Sequence, residues 1–165
     1  MQAMLYLINP KTMTLKERIE ADIKQAMLAK EKTRLQALRS IKSQILLAET
    51  EKGGGETISA DTEMKLLTKA AKQRRESAEV YAKQGREDLE QIELDELAVI
   101  EQYLPQQLDE GDLRSRILEI IQRVGASGPS DLGKVMGVAS KELAGQADGR
   151  AISSAVGALL NNTDF

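Results

Sequence analysis

The sequence predicts an all-α protein: a bundle-like helical domain at the N-terminal end, followed by a small, glycine-rich tail domain of three helices. Three observations carry this expectation. Apolar residues recur at steps of three and four, capping residues stand ahead of these runs, and no segment shows the two-residue alternation or β-branched enrichment of a strand. A length of 165 residues suits one domain or two small ones.

Residues 1–12 contain an apolar run only from Met4 to Ile8, closed by Asn9-Pro10, with no cationic start and no long hydrophobic centre. They read as a leader or upstream extension outside the fold. No signal peptide, membrane span or membrane partner is expected, and the location is expected to be cytoplasmic. Thr14 with Glu17 fits a capping box, and Leu15, Ile19, Ile23 and Met27 fall four apart, which predicts a first helix to about Ala29. Thr33 is the expected cap of a second, with Leu35, Leu38, Ile41, Ile45 and Leu46 inward, ended by Gly53-Gly54-Gly55. Ser59 or Asp61 opens a third, in which Met64, Leu67, Ala71, Ala78 and Tyr81 share a face with Arg74 until Gly85. A fourth carries Leu89, Ile92, Leu97, Ile100 and Leu104, and Pro105 stops it.

The domain boundary is expected at Leu104-Pro105-Gln106-Gln107-Leu108, giving a helical domain over 13–107 and a tail over 109–162. Beyond it the composition changes, since 7 of the 12 glycines lie at or after Gly125. Asp109 caps a fifth helix with Leu113, Ile117, Ile120, Ile121 and Val124 inward. Ser130 or Asp131 caps a sixth and Asp148 a seventh.

Charge is segregated although the net value is only −3. Residues 11–52 carry 10 Lys/Arg against 6 Asp/Glu, residues 64–86 carry 7 against 2, and residues 87–112 carry 10 acids and no base. A polyanion can therefore bind only locally, through the basic segments. The chain has no Cys and no His, which removes disulfides, thiolate nucleophiles, imidazole bases and Cys/His zinc sites. Glu90, Glu93, Asp95, Glu96 and Glu101 read as a solvated acidic face, since di-metal bundles pair glutamate with histidine. No metal, cofactor or catalytic residue is expected. From Gly128, GPSDLGKV approaches the phosphate-loop pattern, but Val135 stands where Ser or Thr is needed and the preceding ILEIIQRV is helical, so a helix–helix turn is the better reading.

The tail helices contain glycines at 133, 137, 145, 149 and 157, and an interior glycine costs a helix about 1 kcal/mol against alanine. On the sixth helix Leu132, Val135, Met136, Ala139 and Leu143 cluster on one side, with Gly133 and Gly137 on the flank. The groove these glycines leave is either filled by a neighbouring helix of the same domain or open to a partner. Lys134 and Lys141 fall opposite the apolar cluster, and Arg150 sits in the first turn of the last helix. With the glycines they form the candidate contact to phosphates. A second basic face on the third helix comprises Lys65, Lys69, Lys72 and Arg75, which also reads simply as a soluble helix. Tyr6, Tyr81, Tyr103 and Phe165 are the only aromatics, so no base-stacking platform is expected and RNA would be read by backbone and shape.

Several of these residues carry a family resemblance. Gly133-Lys134-Val135-Met136-Gly137, Gly145, Ala147-Asp148-Gly149, Val156 and Leu160 resemble the tail domain that the YqeY family shares with the B subunit of the tRNA-dependent amidotransferase, GatB. Lys72 to Ser77, Ala82 to Asp88, and Tyr103-Leu104-Pro105 are similar to the N-terminal pattern of the YqeY family. Gly157-Ala158 departs from the charged residue such tails often carry. The resemblance implies contact between the tail and the body of a tRNA. It also implies the family label of a carbon-nitrogen ligase with glutamine as amide donor, although the chain offers no nucleophile–base pair for that chemistry. A helical protein–protein scaffold without RNA binding is the alternative.

Overall fold

The computed structural model describes residues 13–51, Gly53 and 57–162. The leader expected over 1–12, and Gly54 and Gly55, lie outside the described residues. Among those described there are seven α-helices and no strand, and the chain divides into two compact units, the first ending at Tyr103 and the second starting at Leu104. That seam precedes the proline-containing stretch expected to form the boundary.

The first unit holds α1 (Leu15–Leu28), α2 (Lys32–Glu51), α3 (Ala60–Lys83) and α4 (Glu87–Glu101). Helices α1 and α2 pack as a hairpin, as do α3 and α4, and α2 also lies against both α3 and α4. The capping box starts α1: the Thr14 hydroxyl accepts from Glu17 N at 3.2 Å, and Glu17 accepts from Thr14 N at 2.8 Å. Leu15 and Ile19 are buried as expected, but Ala26 takes the place of Met27, which is 54% exposed. Three turns of strict four-residue spacing drift away from the axis of contact, because a helix turns every 3.6 residues.

At the end of α1, Lys30 adopts φ 57°, while Glu31 N donates to Ala26 O and Lys30 N to Met27 O. This is the paired closure of a Schellman turn, with lysine where glycine is usual. It leads the chain directly into α2, so the helix begins at Lys32 and the expected Thr33 cap is not used. Leu38, Ile41 and Ile45 are buried as expected, whereas Leu46 is exposed. Ser59, rather than Asp61, caps α3 by accepting from Thr62 N at 3.2 Å. Gly85 closes α3 at φ 69°.

Two polar networks hold this unit. Lys16–Glu49 at 2.8 Å and Lys42–Glu20 at 3.0 Å tie α1 to α2. Arg74 on α3 reaches Glu93 at 2.9 Å and Glu96 at 3.0 Å, and Arg75 reaches Glu101 at 2.8 Å. The acidic face expected to be solvated is thus partly turned inward, with Glu96 only 6% exposed. An arginine on the apolar stripe of α3 supplies the counter-charge that a buried carboxylate requires. Burial nevertheless holds the Glu96 carboxyl above its ordinary range. Ile92, expected inward, is exposed at the edge of the same helix. At the end of the unit the half-buried Tyr103 hydroxyl donates to Asp22, and Arg18 stacks 5.2 Å over its ring.

The second unit holds α5 (Glu110–Val124), a short 3₁₀ turn (Pro129–Asp131), α6 (Leu132–Glu142) and α7 (Gly149–Asn161). Its core joins Leu113, Ile117, Ile120 and Ile121 to Val135, Ala139 and Leu143, and to Ile152, Val156, Leu159 and Leu160. Asp109 caps α5 by accepting from Asp112 N at 2.8 Å. Gln107 donates to Gly145 O at 2.6 Å, and Leu108 N donates to Gln146 O at 2.8 Å, which stitches the stretch before α5 to the α6–α7 turn.

Candidate nucleic-acid interface

The α6 surface is prepared by the turn before it. Asp131 does not cap the helix, as had been one expectation. Its carboxylate instead accepts from Ser127 N at 2.8 Å, closing the loop around Pro129. That hydrogen bond, with a smaller contribution from Lys134, holds its carboxyl below the ordinary range. From there Val135, Ala139 and Leu143 point into the core, so Gly133, Lys134, Gly137 and Lys141 come to the opposite, exposed side. Leu132, expected with the inward cluster, is 42% exposed, because it stands at the mouth of the helix where the 3₁₀ turn carries the chain away.

The glycines divide by physical role. Gly145 is buried and has φ 75°, a left-handed conformation that opens the turn after α6. Gly133 and Gly137 do neither job. A Cβ built on either meets no atom beyond its chain neighbours and its own helix backbone within 4 Å, so neither position is needed for helix packing in this unit. The shallow groove they leave is open, and of the two readings offered by the sequence it is the filled one that the structure excludes.

Exposed cations stand near these glycines. Lys134 and Lys141 are exposed; Asp131, just before the helix, accepts from Ser127 while also lying within electrostatic reach of Lys134, and Glu142 pairs with Arg123 of α5. The Arg123 guanidinium holds the Glu142 carboxyl below its ordinary range. Asp148 caps α7 by accepting from Arg150 N at 3.0 Å, leaving Arg150 exposed in the first turn.

The second basic face is much less available. Lys65 pairs with Asp61 at 2.8 Å, Lys72 faces Glu76 at 3.8 Å, and Arg75 is held by Glu101. Lys69 is exposed among them. A lysine and a carboxylate four residues apart on one helix offset each other's charge, and the sequence count of cations does not register it. Tyr81 and Tyr103 belong to the first unit, so the second unit holds no aromatic side chain among its described residues.

Comparison with known proteins places these units. The chain is 34% identical over 113 residues to altered inheritance of mitochondria protein 41, mitochondrial, of Clavispora lusitaniae, covering 66% of this chain and 64% of that protein. It is 35% identical over 86 residues to the protein of the same name from Meyerozyma guilliermondii, covering 52% and 44%. The chain thus spans less than two thirds of the length of these curated relatives. Both are named as mitochondrial proteins, which overturns the cytoplasmic expectation drawn from the first residues. The model of the Yqey-like protein family matches residues 16–160, from the first turn of α1 to the last of α7, and the chain belongs to that family.

Proposed function

We propose that the second unit contacts the sugar-phosphate backbone of a folded RNA, tRNA being the class implied by the resemblance of the tail. The contact surface is the outward side of α6 with the first turn of α7. The observation that supports this reading is the open space over Gly133 and Gly137 between two exposed lysines. A helix that retains two glycines for no internal reason gains room for a backbone to approach closely, and Lys134, Lys141 and Arg150 supply charge for its phosphates. With no aromatic platform the contact is indifferent to base identity and sensitive to salt. The net charge of −3 and the acids of residues 87–112 keep it weak.

In this reading the chain is an accessory module. Without Cys or His, it should yield no amidated product by itself from glutamine, ATP and a mischarged tRNA. The exposed Leu132 beside the glycines favours a second reading, a helical scaffold that docks a protein there. Titrating tRNA against the natural chain and against the triple variant Lys134→Glu, Lys141→Glu, Arg150→Glu at two salt concentrations separates them. Weaker binding by the variant, with the log–log salt slope reduced by about one per lost phosphate contact, supports the RNA reading. Equal binding by both moves the site to another face, and no binding by either favours the scaffold.

A further inference from the structure

The tip of the α1–α2 hairpin presents a different surface. Leu28 is 86% exposed and Met27 54%, although both belong to the last turn of an amphipathic helix. Lys24 precedes them by three and four residues, so the three side chains share one outer patch. Lys30 and Lys32 follow in the turn and at the start of α2, both exposed. The nearby carboxylates are engaged: Glu31 by Arg34 at 2.9 Å and Glu20 by Lys42 at 3.0 Å. Lys30 holds the left-handed position where glycine is the unstrained residue. A cation is thus kept at the tip against local backbone preference.

We infer that this tip is a peripheral anchor for an anionic lipid bilayer. Leu28 and Met27 enter the boundary between headgroups and acyl chains, and Lys24, Lys30 and Lys32 lie against lipid phosphates. Shape and charge together select this occupant. A leucine that projects almost entirely from the surface makes a convex prong, which suits a flat, deformable layer, whereas a protein partner needs a matching pocket. The three exposed lysines complement negative headgroups: Lys24 acts only at longer range on Glu20, whose close partner is Lys42, and none of the three makes a close ion pair among the described residues. No helix of the described residues is long and apolar enough to cross a membrane, so the attachment is to the surface. This attachment departs from the expectation, drawn from the sequence, of no membrane partner.

The chain contains no tryptophan, so Leu28→Trp reports on the tip without interference. The full chain carrying it is titrated with vesicles of phosphatidylcholine, with and without phosphatidylglycerol. Emission should shift to the blue with the anionic vesicles and stay unchanged with the neutral ones. In co-sedimentation, Leu28→Asp should weaken anionic-vesicle binding about ten-fold or more, and each lysine replaced by alanine about five-fold. Circular dichroism of each variant establishes that the helices are intact. Emission that does not move, or vesicle binding that Leu28→Asp leaves unchanged, overturns the inference. So does lipid-free self-association abolished by Leu28→Asp, which makes the tip a contact between copies.

Discussion

Replacing Gly133 and Gly137 together by alanine should stabilise the second unit while weakening its binding. Gly137 is in mid-helix and Gly133 in the first turn, both are exposed, and a Cβ at either meets nothing within 4 Å beyond its immediate neighbours and its own helix backbone. The steric cost is therefore close to zero, and the helix-propensity difference remains, about 0.8–1.0 kcal/mol at Gly137 and less at Gly133 in the first turn. The two sites are one helical turn apart, so the combined gain is about 1–2 kcal/mol rather than a strict sum. For a unit of this size each kcal/mol raises the melting temperature by about 4–8 °C. Urea and thermal melts followed by circular dichroism on the full chain measure this. In the same preparation, tRNA affinity should fall, because the added methyl groups hold a phosphate backbone away from Lys134 and Lys141. A destabilised double variant refutes the reasoning outright, since it requires native contacts over the glycines that the structure lacks. A stabilised variant with unchanged tRNA affinity removes the glycines from the interface and leaves their cost unexplained.

Three further outcomes concern the first unit. Lys30→Gly should raise its stability by about 1 kcal/mol by relieving the left-handed lysine, measured by urea melts; a fall shows that the lysine side chain contributes more than the strain removes. Tyr103→Phe should cost about 1–2 kcal/mol by deleting the hydrogen bond to Asp22, while the ring contact with Arg18 is kept; unchanged stability means that this bond is worth no more than hydration of its partners. Glu96→Gln tests burial: because the folded carboxyl binds its proton more tightly than the unfolded one, its contribution to stability is present in acid and lost as pH rises through the raised value. The variant, which mimics the protonated form, should gain on the natural chain between acidic and neutral pH, and a pH-independent difference contradicts this.

Local chemistry carried much of the fold into the sequence. The Thr14–Glu17 box, the Ser59, Asp109 and Asp148 caps, the glycine terminator at 85 and most of the cores of α2 and α5 could all be read from short-range signals. These depend on the hydrogen-bond needs of helix ends and on a 3.6-residue period, both of which are local. The candidate site was legible as residue types, since spacing alone put Lys134 and Lys141 opposite the core. The structure decided what spacing cannot. It left the space over Gly133 and Gly137 empty, turned Leu132 outward, tied Arg75 to Glu101, and folded Glu96 inward against Arg74. It also exposed Met27 and Leu28 at a turn made by a left-handed lysine. Each of these depends on which other helix lies, or does not lie, across a given face. The sequence by itself determined the helices and most of their caps, because these follow from bonds within a few residues. Only the tertiary structure decided which charges are neutralised and which surfaces stay open, because those are set by neighbours distant in the chain.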